Sequence, residues 1–483
     1  MRLVGDMDPS NLSKPETVYL GTRIPSGMRR NLRLGITEGL VAMPIVYMTL
    51  PGNFIIAMLL TQTFPLSESM FGLIASLPAW CNVIQLFVVP LLTRRWSQKR
   101  IALLFSWLHL GVWIALGLVL PYVPPDDVGA AGTIFLVIFA LSALFQSLVG
   151  VSWTSWIQEW VPGKLRGKYF GRRNRLIQFA MVVFLLLTGA ALTRMAEISP
   201  VIGFQALVAL AVGLRTISIF AQHRIRGSTT RVRTEGALDM KAQLKLIREQ
   251  KPLMWLFAFG AAFGFSTGLF GPFFNLFLYD GLGLTVTDVS WLVVISSITG
   301  AVAMPAWGQF LDSHGNRPTM NVALALWIIP GFAWALLTPD NTWILKLLFA
   351  SGGIFSAGFI LGQFNLLLKL VPPEAKTAAI SLNVAITSIA AACAPILGGL
   401  LLDYALSLGY GKLTVYHSMG IAHHGLILLA GLVLLKVAEP KSAPLSQVVG
   451  AMRSSRQVIA LVGLSFLVNY VFTKTEKNAK PTR

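Results

Sequence analysis

Two ionisable side chains stand inside long apolar runs, Glu38 and Arg215. A charge within hydrocarbon is costly, so such a group is functional by default. At 1.5 Å per helical residue, they lie about 6 Å and about 9 Å inside the same end of their segments, a depth at which they could pair. Glu38 could grip a polar solute or carry a coupling proton. A structural hydrogen bond for Glu38 and snorkelling of Arg215 to the headgroups are the competing readings.

The remaining candidates are amides, hydroxyls and one indole. At 100° per residue, Thr49 falls about 20° and Asn53 about 60° from Glu38, which makes one polar stripe. Gln146, Gly150 and Trp153 share a second stripe, and Trp160 below them suits an interfacial aromatic belt. Subtracting 210 from Ser356 and Gln363 lands on Gln146 and Trp153, and Asn275 is the amide of a further segment. Amides bind hydroxyls and an indole face stacks on a sugar ring. The set therefore suits a neutral polyhydroxylated or amphipathic solute, with a sugar or glycoside as the expected class. Hydrogen bonding between helices is the alternative for each amide. Cys81 and Cys393 give neither a disulfide framework nor metal spacing. No nucleophile–base cluster or phosphate loop is present, so neither an enzyme nor a cofactor is expected. His109, His423 and His424 read as packing residues.

The elements that must position these groups follow from composition. Of 483 residues, 55% are apolar and 12% charged, against about 25% charged in an average soluble domain. The mean hydropathy is +0.68. These values exclude a soluble enzyme and leave a polytopic all-α membrane protein. Runs long enough to span a bilayer, about 20 residues each, occur at 34–62, 67–92, 101–121, 131–158, 173–194, 200–221, 253–279, 287–310, 319–338, 342–368, 377–402 and 417–436. They divide into an N-terminal segment (1–33), a six-helix half (34–221), a basic linker (222–252), a second six-helix half (253–437) and a tail (438–483). The apolar run Val458 to Phe472 is short for a span and reads as an interfacial helix.

The net charge is +19, and 35 of the 39 basic residues fall on one side of the twelve-span arrangement. This asymmetry puts both termini in the cytoplasm. Anionic lipid headgroups suffice as the partner of the basic linker, so nucleic acid is not expected. With no signal peptide in view, the chain reads as a monomeric protein of a plasma (bacterial inner) membrane, in contact with the lipid bilayer and a small-molecule substrate.

The halves repeat one another. Glu159-Trp160-Val161-Pro162 matches Lys369-Leu370-Val371-Pro372 at an offset of 210, and the first and seventh runs are interrupted by Pro51-Gly52-Asn53 and by Gly271-Pro272. Paired interruptions of this kind point to a solute site between repeats. Ordinary helix bends are the alternative.

The loop after the eighth run reads Gly308-Gln-Phe-Leu-Asp312-Ser-His-Gly315-Asn-Arg317. It resembles the Gly-x-x-x-Asp-x-x-Gly-x-Arg/Lys loop signature of the major facilitator superfamily, as does the six-plus-six layout over about residues 30–437. The resemblance implies a secondary transporter with two pseudo-symmetric six-helix bundles. Rocker-switch access would run along spans 1, 4, 7 and 10, with protons or sodium as coupling ions. It makes Gly308, Asp312, Gly315 and Arg317 gating residues. The first half departs from the signature, with Pro90, Arg94 and Ser97 at the Gly, Asp and Gly positions. The departure suggests one gate pair per half with reversed polarity, Arg94–Glu159 and Asp312–Lys369, which would lock the cytoplasmic gate in the outward-open state. Solvated interfacial charges, worth at most about 1 kcal/mol per pair, are the competing reading. Export of amphipathic compounds and a transporter-like membrane sensor are the alternatives to sugar uptake.

Overall fold

The computed structural model describes residues 16–19, 22–50, 52–226 and 239–452. The segment Val458 to Phe472 lies outside these residues.

Among the described residues, eleven helices are long and apolar enough to cross a membrane. Span 2 is Glu68–Thr93, span 3 Gln98–Val119, span 4 Val128–Trp160, span 5 Gly163–Ala196 and span 6 Pro200–Arg224. Span 7 starts with Lys251–Phe270; span 8 is Val286–His314, span 9 Asn316–Gly331, span 10 Trp343–Leu370, span 11 Lys376–Ser407 and span 12 Lys412–Leu434. Span 1 completes the set in pieces: Ser26–Met48, Phe54–Met58 and a wide π turn at Leu59–Thr63. Large apolar side chains such as Phe87, Phe179, Phe220 and Leu429 stay exposed on the bundle. Lipid covers such a surface, so the all-α bundle is a membrane fold.

Spans 1 and 7 break in the same way. Span 7 tightens to a 3-10 turn at Gly271–Phe273, resumes at Phe274–Leu276 and widens at Phe277–Gly281. Pro272 lacks an N–H, and backbone groups freed at such a break need new partners in a lipid setting. In span 1 the partner is Asn53. Its Oδ1 accepts from the N–H groups of Ile55 (2.9 Å) and Ile56 (3.1 Å), and its Nδ2 donates to Tyr47 O (3.0 Å) and Leu50 O. The expected stripe through Asn53 assumed a continuous helix; the helix ends at Met48, so Asn53 is a cap.

The broken spans meet. Asn275 Nδ2 donates to Gly52 O at 2.9 Å, and Tyr279 Oη donates to Phe54 O at 2.9 Å. The hydrogen bonds joining the halves among the described residues all lie away from the ends Pro25 and Val437. They include Gln62–Asp280, Glu68 and Ser69 N–H to Asp403, Thr287–Thr193 and Ser290 to Leu185 O. The face bearing these bonds is closed, and the terminal face is not joined in this way. Small residues permit the closure. A Cβ at Gly72 would collide with Pro395 O, one at Gly399 with Glu68 O, and one at Gly189 would sit 2.7 Å from Ser290 Cβ.

A β-hairpin on the terminal face was not anticipated. Strands β1 (Glu16–Tyr19) and β2 (Thr22–Pro25) pair antiparallel. Tyr19 and Ile24 pack there with Trp156, Trp160, Leu165 and Tyr169. Trp160 is thus buried under the hairpin rather than set in an aromatic belt. The linker helix Met240–Glu249 buries Ile247 and leaves Leu244 exposed.

Asn53→Ala removes both acceptor and donors from the break in span 1. It should cost about 1–3 kcal/mol for the backbone groups left unpaired. Asn53→Asp keeps the two bonds from Ile55 and Ile56 and should lose less. Thermal unfolding in detergent checks the order; equal stability of Asn53→Ala and the parent would contradict it.

Candidate translocation cavity

Two cavities with shared lining residues lie in the bundle, the first of them between the halves. One, of about 770 Å³, is walled by spans 1, 2, 7, 10 and 11. The other, of about 570 Å³, lies against the first half and shares Leu50, Pro78 and Asn82 with it. Both fall in the size range of small-molecule sites. Neither is lined by a charged side chain.

The walls differ in character. The first-half wall carries Thr49, Asn82, Gln85, Gln146, Thr154 and Ser155. Gln146 Oε1 is buried without a protein partner. The second-half wall sets Gln363, Asn383, Thr387 and Ser388 among Leu256, Phe263, Ile360, Phe364 and Leu367. Gly260, Gly264 and Gly268 bring span 7 against span 11: a Cβ on Gly260 would stand 2.8 Å from Thr387 Cγ2.

Of the residues expected to bind solute, Thr49, Gln146 and Gln363 line these cavities. Thr49 Oγ1 also donates to Ile45 O (2.8 Å) and contacts His109 Nε2 (3.0 Å). The others are engaged elsewhere. Asn53 caps the break and Asn275 bridges to span 1, as described above. Ser356 Oγ turns back to Gly353 O at 3.4 Å. Trp153 lies beneath the Arg173 guanidinium, 4.4 Å from its ring centroid. Asn82, Gln85, Asn383, Thr387 and Ser388 were missed, because spans 2 and 11 were not expected to line the path. Their signal was available: polar residues three to five apart inside apolar runs.

Glu38 does not touch the cavity, and its direct pair with Arg215 is not made. Its Oε2 is paired with Arg173 Nη2 of span 5 at 3.2 Å, and Oε1 accepts from Gln222 Nε2 at 3.0 Å. Arg173 Nε also donates to Gly35 O at 3.0 Å, and Gly39 leaves room for the guanidinium. Span 5 begins ten residues before the expected run, which carries Arg173 into the bundle and within reach of Glu38. Arg215 is fully buried and donates to Ser106 (3.0 Å) and Ser218 (3.4 Å). Ser106 donates to Gln222 Oε1 at 3.3 Å, so Glu38 and Arg215 are joined through two intermediates.

With the terminal face not joined, neither of the gate pairs expected of the outward-open state is made here. Lys369 Nζ is 2.8 Å from Glu439 Oε1, not paired with Asp312. Arg94, Glu159 and Asp312 are exposed, and no ion pair joins Arg94 to Glu159 among the described residues. The cause is Glu439, which follows span 12 and arrives at the start of span 9. Its carboxylate accepts from the N–H groups of Asn316 (3.1 Å) and Arg317 (2.7 Å) and from Asn316 Nδ2 (2.8 Å). An anion at a helix N-terminus is favoured by the unpaired N–H groups and the dipole. Ala443 N–H donates to His314 O at 2.8 Å. Gly315 has φ +96°, and a Cβ there would press within 2.8 Å of Ser442 Cβ. This conformation is essentially restricted to glycine. Gly308 has open space around it. Among the described residues no cluster of three or more His, Cys, Asp or Glu could hold a metal.

The six-plus-six bundle with its central cavity invites comparison. A model described as Major Facilitator Superfamily matches residues 41–281 and again 256–474. The chain belongs to the major facilitator superfamily. It is an integral membrane protein. It is 26% identical over 164 residues to the probable multidrug resistance protein EmrY of Escherichia coli (strain K12), covering 34% of this chain and 30% of that one. It is 25% identical over 222 residues to the multi-drug resistance efflux pump PmrA of Streptococcus pneumoniae, covering 43% and 52%. The chain thus spans a third to a half of the curated relatives it matches. In fold it is similar to a bacterial homologue of the iron transporter ferroportin in an inward-facing state (TM-score 0.68, 14% identity, covering 85% of this chain and 98% of that one). It is also similar to the nucleoside transporter NupG (TM-score 0.62, 13% identity, 85% and 99%) and a D-xylose–proton symporter (TM-score 0.56, 15% identity, 87% and 97%).

The Glu439 latch has a defined pH dependence. Burial pushes its carboxyl up, but the Lys369 ammonium and the N–H groups of Arg317 and Asn316 outweigh burial and hold it below the usual range. Its stabilisation is complete above the ordinary Glu value of about 4.3 and is lost as pH falls through the lower native value. The difference in Tm between wild type and Glu439→Gln should therefore shrink between about pH 6 and about pH 3. A difference that is constant over this range would contradict the latch.

Proposed function

We propose that this transporter moves a neutral amphipathic solute of the glycoside class by alternating access, and that the structure represents its inward-facing state. The observation that carries the reading is the uncharged cavity between two unlike walls. A sugar moiety suits the amide- and hydroxyl-rich first-half wall. An apolar aglycone suits Phe263, Phe364 and their aliphatic neighbours. A strongly acidic or phosphorylated solute would meet no compensating charge and would lose its hydration.

In this reading the terminal face is cytoplasmic, as the basic residues favour, and the membrane is a bacterial plasma membrane. The chain works as a monomer and carries out transport rather than chemical conversion. Closing the terminal face would bring Arg94, Glu159 and Asp312, unpaired across the halves here, toward new partners. Glu38 acts on the cycle through Arg173 and span 5, not by contact with the solute. This is the route by which a proton could be coupled, with sodium as the other candidate ion.

Export of amphipathic compounds is the second reading. It is favoured by the names of EmrY and PmrA and by the apolar second-half wall.

A thermal-shift screen of the purified protein against sugars, glycosides, nucleosides and amphipathic drugs tests both. Stabilisation by a glycoside, weakened about tenfold in affinity by Gln146→Ala or Asn82→Ala for each lost hydrogen bond, is expected. Stabilisation by charged or purely apolar compounds alone would overturn the glycoside assignment.

A further inference from the structure

Spans 8 and 10 enclose a cavity of their own at the closed-face end, apart from the central ones. Deeper in the membrane the two helices touch backbone to backbone. Thr299 Oγ1 donates to Ala350 O at 3.0 Å, and a Cβ at Gly353 would collide with Ser296 O. Toward the closed face larger residues replace the small ones, and a cavity of about 540 Å³ opens between the helices. Its walls carry Asp288 and Trp291 of span 8 and Trp343 and Lys346 of span 10, with Leu292, Ile295 and Leu345 as the apolar remainder.

The two charges in this cavity are opposite and unspent. No ion pair joins Asp288 to Lys346 among the described residues, and Lys346 Nζ has no protein partner there. Asp288 Oδ2 accepts from Thr285 N–H (3.0 Å) and Thr285 Oγ1 (2.6 Å), which caps span 8, while Oδ1 accepts from no protein group. Trp291 and Trp343 are 54% and 61% exposed, and neither indole N–H has a protein partner. Exposed indoles of this kind mark the headgroup level of a bilayer. Lys346 lies three residues past Trp343, about 4.5 Å deeper along the helix. Ile298 and Leu347 are exposed further along the two helices, so the cavity gives onto lipid.

We propose that this cavity seats the headgroup of one phosphatidylethanolamine from the leaflet on the closed face. Lys346 pairs with the lipid phosphate, and Asp288 Oδ1 accepts from the primary ammonium. The indoles flank the glycerol region, and the acyl chains follow Ile295 and Ile298 into the bilayer. An ammonium at this depth needs a counter-ion, and a lipid phosphate is the anion at hand. Phosphatidylglycerol would satisfy Lys346 but leave Asp288 facing a net negative lipid. Phosphatidylcholine has no N–H to give to Asp288. Both walls belong to the second half, so the lipid travels with that half and its site persists when the face opens. The proposal therefore depends neither on the solute nor on the direction of transport.

Native mass spectrometry of the delipidated full chain in mild detergent tests the seat. Dioleoyl phosphatidylethanolamine, phosphatidylcholine and phosphatidylglycerol are added in turn, and the affinity for the first lipid is read. The parent should bind phosphatidylethanolamine about fivefold more tightly than either of the others, the worth of one exposed charge pair. Lys346→Gln should lose about fivefold for phosphatidylethanolamine. Asp288→Asn keeps an acceptor for the Thr285 cap and should abolish the preference over phosphatidylglycerol. Asp126→Asn, an exposed charge of the first half, should change nothing. A parent without preference, or a preference intact in both Lys346→Gln and Asp288→Asn, would overturn the site. Glycerophosphoethanolamine that binds as tightly as the whole lipid would overturn the lipid as its occupant.

Discussion

At Gly72 and Gly399 two helices from opposite halves approach until a methyl group would strike the partner's backbone carbonyl. The closed face depends on this approach. It lets Asp403 of one half accept the first N–H groups of span 2 in the other. It also brings the two broken spans together, so that Asn275 and Tyr279 reach the carbonyls exposed beside the break in span 1. Without the small residues the halves would stand further apart, and the carbonyls of Gly52 and Phe54 would lose these partners in a lipid setting.

The placement of charge follows the same division. The ion pairs among the described residues, Arg173–Glu38, Lys369–Glu439 and Lys412–Asp280, each lie within one half. The bonds between halves are hydrogen bonds, most of them neutral. Each contributes about 1 kcal/mol net. Removing one partner of a buried ion pair costs about 3–5 kcal/mol. Halves that keep their own charges neutralised can part by exchanging only the weaker contacts. The cavity between them is left free of charge, which sets what it can accept.

Much of this was legible in the sequence. The spans were, because runs of about 20 apolar residues have few other uses, and so was the weak repeat, because both halves break at Gly and Pro. The errors have local causes. The angle from Glu38 to Asn53 presumed an unbroken helix, and the helix stops at Met48. Arg173 looked like a charge at the membrane edge because span 5 extends ten residues beyond its apolar run. Glu439 lies 70 residues from Lys369 and 123 from Asn316, and no local pattern signals such a meeting. The amides of spans 2 and 11 were visible but discounted, since only four spans were expected to line the path.

The central claim is that the two halves rock as units about the cavity, with one face closing as the other opens. Paired spin labels report this directly: Arg95 with Lys376 across the terminal face, and Asp126 with Asp340 across the closed face, all exposed positions. When a solute or a change of pH shifts the state, the first distance should shorten as the second lengthens, in matching populations. Two distances that change in the same sense, or one that changes alone, would contradict the account.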